Sequence, residues 1–331
     1  MKKKNRNKKI KIALAPPSPV SIRPWTKNSF IHISGLVLII IAVYGGTLNA
    51  PFQWDENYFI ANNPIVRDFH YFSNPSDAKA FSLFYGGLMT RYVGYLTFAL
   101  NYRVNGLSVT GYHIVNISVH IANSILVYFL ILLTFRTPFF RGQGSGGRGQ
   151  EAEADSQRLD QSLAPCPLPL DPKLVAFFSS LIFAVHPMQT EAVTYVFQRF
   201  ASLAAFFYLL SLVMYIKSRL KAVNSEWVNG ESKTKKYYFT IFAWYFLSLF
   251  FAVCAMKTKE NAFTLPFIIT LYEFCFFSSP SPRVLLSRRL LYLAPILLTL
   301  CIIPLTLIGL TGTHGPDPAL YGAKVFHRDE Y

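Results

Sequence analysis

The sequence predicts an all-α, polytopic membrane protein with about seven spans. The chain of 331 residues is 52% apolar and 16% aromatic, and only 15% of its residues are charged. A soluble domain usually has about 25% charged residues. The apolar residues also fall in blocks of about 20, the length of helix that crosses roughly 30 Å of hydrocarbon. These observations favour a transmembrane helical bundle over a soluble domain.

The apolar blocks give the positions of the spans. The first is predicted to be an uncleaved signal anchor, because it is too long for a signal peptide and lacks a small-residue cleavage site. The third block is short for a span. The predicted spans are 30–49, 114–135, 173–187, 200–216, 237–256, 262–279 and 290–310.

The basic residues predict the orientation, because cytoplasmic loops carry an excess of Lys and Arg. With the N-terminus inside, the inner segments, counted with Lys173 at the inner end of the third span, hold 23 of the 32 Lys and Arg residues, and the outer segments hold 9. The net charge of +15 therefore implies no nucleic-acid partner, since these cations can face anionic headgroups. The four cysteines are scattered without a C-x-x-C pair, which indicates neither a metal site nor a disulfide framework.

The resulting organisation alternates membrane units with polar segments. The Gly-, polar- and Pro-rich composition of the central segment predicts a disordered cytoplasmic linker. The segments are a basic cytoplasmic arm (1–29), spans one and two with the acidic outer loop (30–135), the linker (136–172), spans three to seven (173–310) and an outer tail (311–331).

An acidic pair, Asp55–Glu56, follows the first span in "PFQWDENYFIANNP". Adjacent carboxylates repel each other and lose hydration near headgroups. Trp54 and the apolar residues 58–60 give the pair apolar surroundings, which suit a general base. The alternatives are an ordinary loop residue or, for Asp55, a helix cap.

The predicted outer segment "HPMQTEAVTYVFQR" carries a second polar set. A helix from Met188 would place Glu191, Thr194 and Gln198 on one polar face. The simpler interpretation is a helix at the membrane interface whose polar face is exposed to solvent. His186, taken alone, is more often a helix-end residue than a catalyst.

The turn "KTKEN" places Lys257 and Lys259 after the fifth span, on the side that should be poor in cations. In one interpretation Glu260 offsets one charge and the other is solvated. In the other, the lysines hold a lipid phosphate.

Two stretches have simpler interpretations. "RYVGYLTFALNYRVNGL" suits a helix lying along the membrane interface, with Tyr92, Tyr95 and Phe98 among its aromatic anchors. Asn116 formally matches a glycosylation acceptor, "NIS". It lies within the second span, so we expect no glycan there.

The order of four segments resembles the GT-C superfamily of integral-membrane glycosyltransferases. It is most similar to the O-mannosyltransferases that carry tetratricopeptide repeats behind a membrane domain, and to their bacterial relatives. The four segments are "PFQWDENYFIANNP", "YHIVNISVHIANSILVYFL", "AVHPMQTEAVTYVFQRFASLAAFFYLLSLVMY" and "AMKTKENAFTLPFIITLYE". They cover most of residues 50–135 and 172–275. The resemblance implies a helical bundle of GT-C type.

This resemblance also implies an activity. Such enzymes transfer a sugar, commonly mannose, from a polyprenyl-phosphate donor to a hydroxyl, often of a protein Ser or Thr, with inversion on the outer face. The implied partners are the donor lipid in the membrane and a protein acceptor. No cofactor beyond the donor is implied. Asp55 would be the general base, and Glu56 stands where the family usually has a second Asp.

The resemblance assigns the remaining site residues to the donor. An inverting transfer needs a base and an electrophilic clamp for the departing phosphate, which Arg or Lys can supply. The positions expected to bind donor phosphate or substrate are His186, Glu191, Arg199, Lys257, Lys259 and Glu260.

The chain departs from the family pattern in two ways. Family members have more spans followed by helical repeats, and the linker at 136–171 is unusually long. We therefore expect an incomplete chain with helical repeats encoded downstream. The alternatives are a non-catalytic scaffold or a transporter-like protein, although a transporter would have charges nearer the midplane. For the compartment, the bacterial inner membrane is favoured over the endoplasmic reticulum.

Overall fold

The computed structural model describes residues 28–140, 171–227, 235–277 and 292–311. Every regular element in these ranges is helical, which confirms the all-α prediction. Residues 1–27 of the basic arm, 141–170 of the linker and 312–331 of the tail lie outside the described residues. The α-helices are α1 (Ser29–Tyr44), α2 (Pro64–Arg67), α3 (His70–Ser73), α4 (Ser82–Thr90), α5 (Tyr92–Asn105), α6 (Val109–Thr134), α7 (Pro172–Val185), α8 (Gln189–Thr194), α9 (Arg199–Trp227), α10 (Lys235–Met256), α11 (Leu265–Phe276) and α12 (Ile302–Thr311).

Shorter turns connect these helices. A π-helical turn and several 3-10 turns separate the α-helices on the side of the bundle that carries Asp55. A helix over 292–298 and one further 3-10 turn lead into α12. The π turn is Asn57–Ala61, and the 3-10 turns are Gly45–Thr47, Pro75–Ala80, Val196–Gln198, Glu260–Thr264 and Thr299–Cys301.

Among the residues that the structure describes, four helices are long and apolar enough to cross a membrane: Ser29–Thr47, Val109–Thr134, Val196–Val223 and Tyr237–Met256. They match the first, second, fourth and fifth predicted spans. The other three predicted spans are shorter helices among the described residues. α7, for example, has 14 residues and rises only about 21 Å, less than the hydrocarbon thickness. The total of seven spans therefore stays a prediction.

Local sequence sets where several helices begin. The Asn28 side chain accepts a hydrogen bond from the backbone N–H of Phe30 and caps α1. The Asp171 side chain caps α7 in the same way, and Pro172 follows at the first helical position. Both devices satisfy or remove donors that a helix start leaves without partners.

α6 is the central helix of the first half, and it packs against α1, α7 and α9. Its inward face carries a row of buried polar side chains, the α6 polar stripe: His113, Asn116, His120, Asn123 and Tyr128. The members recur at mostly three- and four-residue intervals, which places them on one helix face.

The α6 polar stripe satisfies backbone groups at irregular places. His113 Nε2 lies 3.0 Å from the Ala50 carbonyl, and His120 Nε2 lies 2.9 Å from the Ala184 carbonyl in the last turn of α7. Asn116 donates to the Val193 carbonyl at 3.3 Å. Lipid offers no hydrogen-bond partners, so interrupted backbone at membrane depth must be satisfied inside the protein.

A second buried polar feature joins α9 to α11. Arg219 Nε lies 2.9 Å from Glu273 Oε2, and the Tyr215 hydroxyl donates to the same oxygen at 3.0 Å. Both charged side chains are buried. Arg219 lies 20 residues after Arg199 on α9, about 30 Å along the axis. The pair therefore joins α9 to α11 at the end of the bundle opposite Arg199. The sequence analysis did not identify it.

The segment between α1 and α6 folds into a cap, and its apolar core also includes Tyr112, Val196 and Phe200. The predicted interfacial helix, α5, is part of this core: Tyr95 and Phe98 are buried, with 4% and 0% of their surface exposed. The expectation that these rings anchor the helix at the membrane interface is therefore wrong. Gly94 allows the close approach, because a Cβ there would lie 2.3 Å from the Phe200 ring.

Candidate active site

Asp55 lies at the start of the helical turn that follows α1. Its side chain is exposed, and the preceding Trp54 is 89% exposed. Trp54 also has φ +38°, in the left-handed region that an L-residue other than glycine rarely adopts. The backbone thus turns sharply just before Asp55 and leaves its carboxylate open to solvent.

Glu56 has the opposite environment from its neighbour. Only 2% of its surface is exposed. Its Oε2 accepts the backbone N–H of Gln53 at 2.8 Å, and its Oε1 accepts the backbone N–H of Phe197 at 3.1 Å. Burial raises the pKa of the Glu56 carboxyl, although these N–H donors oppose the shift. The carboxylate joins the Asp55 segment to the start of α9.

Tyr195 lies beside Asp55, and sequence reasoning missed it. The chain leaves the α8 helix at Tyr195, whose backbone is extended (φ −86°, ψ 111°). Its hydroxyl interacts with the carboxylate and the backbone N–H of Asp55. Burial and the two neighbouring carboxylates raise the pKa of Tyr195 to about 12, so the hydroxyl stays protonated at neutral pH. Its position within the predicted helix gave no signal of this contact.

The segment between α7 and α9 differs from the single helix that the sequence predicts. The predicted helix from Met188 through Gln198 is wrong, because it breaks at Tyr195 and resumes as a 3-10 turn. Gln198 nevertheless donates to Glu191 Oε1 at 3.1 Å, so two members of the predicted polar face do meet. His186 is exposed, and its Nδ1 accepts the backbone N–H of Met188 at 3.2 Å.

Arg199 is fully buried at the start of α9. Its Nε donates to Asn116 Oδ1 at 2.7 Å, and its Nη2 donates to Asn101 Oδ1 and to the Tyr112 carbonyl, both at 3.0 Å. The guanidinium carbon lies 4.4 Å from the centre of the Phe98 ring. Within the described part of the chain, Nη1 has no hydrogen-bond partner. The structure therefore encloses this arginine among neutral groups, away from solvent.

The turn after α10 holds Lys257, Lys259 and Glu260. Lys257 Nζ donates to Thr306 Oγ1 at 2.7 Å, and burial lowers the pKa of its ammonium group. Glu260 forms an ion pair with Arg91. The charge of Lys259 also lowers the pKa of the Glu260 carboxyl, so the offset of one lysine charge by Glu260 stays a prediction. The Arg91 guanidinium holds the pKa of the Glu260 carboxyl below its usual value despite partial burial.

Hydrogen bonds bring these segments to one side of the bundle. Glu56 joins the Asp55 segment to Phe197, and Arg91 joins the cap to the lysine turn. In the described ranges, no group of three or more His, Cys, Asp or Glu side chains has an arrangement that could hold a metal ion. The side chains on these segments include the exposed carboxylate of Asp55 and the ammonium groups of Lys257 and Lys259.

The chain is similar to proteins named as protein O-mannosyl-transferases. It is 28% identical over 236 residues to human Protein O-mannosyl-transferase TMTC1, covering 70% of this chain and 22% of that protein. It is 28% identical over 190 residues to Protein O-mannosyl-transferase F38B6.6 of Caenorhabditis elegans, covering 56% and 23%. Mouse Protein O-mannosyl-transferase TMTC4 is 31% identical over 170 residues, covering 51% and 19%.

The chain thus spans about a fifth of the length of these relatives. The similarity agrees with the resemblance deduced from the sequence. No protein-family model matches the chain, and no solved structure matches it. The relatives come from animals, which does not favour the expected bacterial inner membrane.

Proposed function

We propose that this chain forms part of an integral-membrane glycosyltransferase that moves mannose from a polyprenyl-phosphate donor to a Ser or Thr hydroxyl of a protein. Similarity to protein O-mannosyl-transferases over 51% to 70% of the chain supports the reaction class. The main structural support is the contrast between exposed Asp55 and buried Glu56.

In this proposal Asp55 alone accepts the proton. An exposed carboxylate can reach an acceptor hydroxyl, whereas both oxygens of Glu56 already accept backbone N–H groups. The acceptor oxygen attacks the anomeric carbon as its proton moves to Asp55. The bond from that carbon to the phosphate oxygen breaks, and the phosphate departs as an anion. Because the leaving group is already ionised, no general acid is needed.

The lysine turn supplies the phosphate clamp in this proposal. Lys257 is a partly desolvated cation, and a desolvated cation gains more from an anionic partner than a hydrated one does. Lys259 is partly exposed on the same turn. Arg199 is better suited to join α9 to α5 and α6, because its donors already bind Asn101, Asn116 and the Tyr112 carbonyl.

The proposed compartment is a eukaryotic endomembrane, with the Asp55 side facing away from the cytosol. The 23-to-9 distribution of basic residues supports this orientation. In a cysteine-free background, an impermeant thiol reagent added from the cytosolic side should label Arg136→Cys but not Asp77→Cys, since both positions are exposed. Equal cytosolic labelling would contradict the orientation.

The reaction is tested with Asp55→Asn. The full-length protein in membranes receives radiolabelled polyprenyl-phosphate mannose and a Ser/Thr peptide. Asn keeps the size of Asp but cannot accept the proton, so transfer should fall by roughly 10²–10⁴-fold with donor binding intact. A helix cap would tolerate Asn. Wild-type transfer by Asp55→Asn would therefore end the catalytic assignment, and a wild-type protein without transfer activity would favour the non-catalytic scaffold.

A further inference from the structure

A two-point ion pair connects the cap to the lysine turn. Arg91 Nε lies 3.1 Å from Glu260 Oε1, and Arg91 Nη2 lies 3.2 Å from Glu260 Oε2. Both side chains are about a third exposed, at 31% and 37%. The two parallel hydrogen bonds fix the orientation of both groups, which a single contact between flexible side chains would not do.

A backbone hydrogen bond gives the same two segments a second point of attachment. The Val93 N–H donates to the Lys257 carbonyl at 3.0 Å. Arg91 precedes α5 and Val93 lies in its first turn, while Lys257 and Glu260 lie at opposite ends of the lysine turn. Attachment at both ends leaves the turn little freedom to rotate against the cap.

Arg91 also contacts the start of α9, which is bonded to the Asp55 segment. Its guanidinium carbon lies 5.5 Å from the centre of the Phe200 ring. The Phe197 and Phe200 rings meet edge to face, with centres 5.2 Å apart. The N–H of Phe197 binds Glu56, the neighbour of Asp55. Arg91 thus lies between the exposed carboxylate and the lysines in one continuous series of contacts.

We propose that Arg91 is a positioning residue that, through Glu260, sets the lysine turn at a fixed place relative to Asp55. This inference rests on the proposed function, in which Asp55 and the lysines act on opposite sides of the bond that breaks. Glu260 is then a partner of Arg91 and does not contact the substrate. The ion pair adds little to global stability, because partly exposed pairs are weak. Its main effect is on the alignment of the lysines.

Reversing and then exchanging the two charges tests this role. Arg91→Glu and Glu260→Arg each place like charges together, and the double variant restores an opposite pair. With polyprenyl-phosphate mannose as donor and a Ser/Thr peptide as acceptor, each single variant should raise the apparent donor KM by roughly tenfold. The acceptor KM should stay unchanged. The double variant should have a lower donor KM than either single variant.

A matched control uses a hydrogen bond between two side chains of the cap. His70 Nε2 lies 2.7 Å from Asp77 Oδ2, and both side chains are about half exposed. Asp77→Asn should leave the donor KM unchanged. The melting temperature of every variant is measured in parallel, and we expect only small shifts.

The outcomes separate this inference from the proposed function. Single variants with a wild-type donor KM, or a double variant no better than the singles, would overturn the positioning role. A rise in the acceptor KM as large as the rise in the donor KM, together with a lower melting temperature, would also overturn it. That result would indicate a purely structural pair. Asp55→Asn is assayed in the same membranes: if that variant still transfers mannose at the wild-type rate, the proposed function itself has failed.

Discussion

Glu56 Oε1 accepts the backbone N–H of Phe197 at 3.1 Å and so joins segments 141 positions apart in the chain. The other oxygen of the same carboxylate accepts the N–H of Gln53. The neighbouring Asp55 has an exposed side chain. Two adjacent acidic residues therefore have separate tasks, one in the fold and one available for chemistry.

Glu56→Gln should damage stability more than chemistry. Gln has a single acceptor oxygen, so one of the two N–H donors loses its partner, at a cost of about 1–3 kcal/mol. We expect a lower melting temperature in detergent and a smaller loss of transfer than for Asp55→Asn. If Glu56→Gln instead keeps its melting temperature and loses transfer as completely as Asp55→Asn, the two carboxylates share the chemistry.

Lys257→Ala should weaken donor binding. Loss of a charge-assisted hydrogen bond to phosphate costs about 1.5–3 kcal/mol, which corresponds to roughly a 10- to 150-fold rise in the apparent donor constant. The acceptor constant should change much less. Thr306→Val removes the partner of Lys257 but keeps the charge, and Lys79→Ala removes an exposed lysine of the cap. Unchanged donor binding in Lys257→Ala would indicate that Lys257 has only a structural role through Thr306.

Arg199→Lys tests whether Arg199 has a structural role or binds the donor phosphate. A lysine cannot reproduce the fork that binds Asn101, Asn116 and the Tyr112 carbonyl together. We expect a destabilisation of about 1–3 kcal/mol and an unchanged apparent donor constant, measured by thermal unfolding and donor titration. Arg136→Lys, at an exposed position, is the control. A weakened donor constant with normal stability would restore the clamp role.

At position 54, a glycine variant should be more stable than an alanine variant, which is the reverse of the usual order. Glycine normally destabilises regular structure by about 0.5–1 kcal/mol relative to alanine, but a left-handed residue with a Cβ costs roughly 1–2 kcal/mol. Trp54→Gly should therefore unfold at a higher temperature than Trp54→Ala. Leu100 is half-exposed within α5 and serves as the control. There Leu100→Ala should be more stable than Leu100→Gly. An Ala variant at 54 that matches or exceeds the Gly variant would show that φ +38° carries no strain.

Sequence patterns predicted the parts of this fold that depend on local composition. The apolar runs located the four long helices that the structure describes. The aromatic pattern of α5 was misinterpreted because Tyr95 and Phe98 would have the same spacing at a membrane interface as in a protein core. Period alone does not distinguish lipid from protein as the apolar neighbour.

The site was less predictable, because its contacts join distant segments. Asp55 and Glu56 were both found, but their different burial depends on where Phe197 lies. Arg91 and Glu260 are 169 positions apart, and no spacing rule connects them. The break at Tyr195 arises where the Asn116 side chain donates to the Val193 and Tyr195 carbonyls, from another helix. Residue types thus indicated which groups matter, whereas tertiary packing decided what each one contacts.

The α6 polar stripe has a consequence for the order of biosynthesis. A ribosome completes α6 before α7 and α9, so the Ala184 and Val193 carbonyls that His120 and Asn116 bind have not yet been synthesised when α6 reaches the translocon. At that moment the apolar side chains of α6 favour entry into lipid, whereas the polar side chains of the stripe oppose it. We therefore expect the lateral release of α6 into the bilayer to depend on the arrival of α7 and α9, whose carbonyls supply the missing partners of His120 and Asn116.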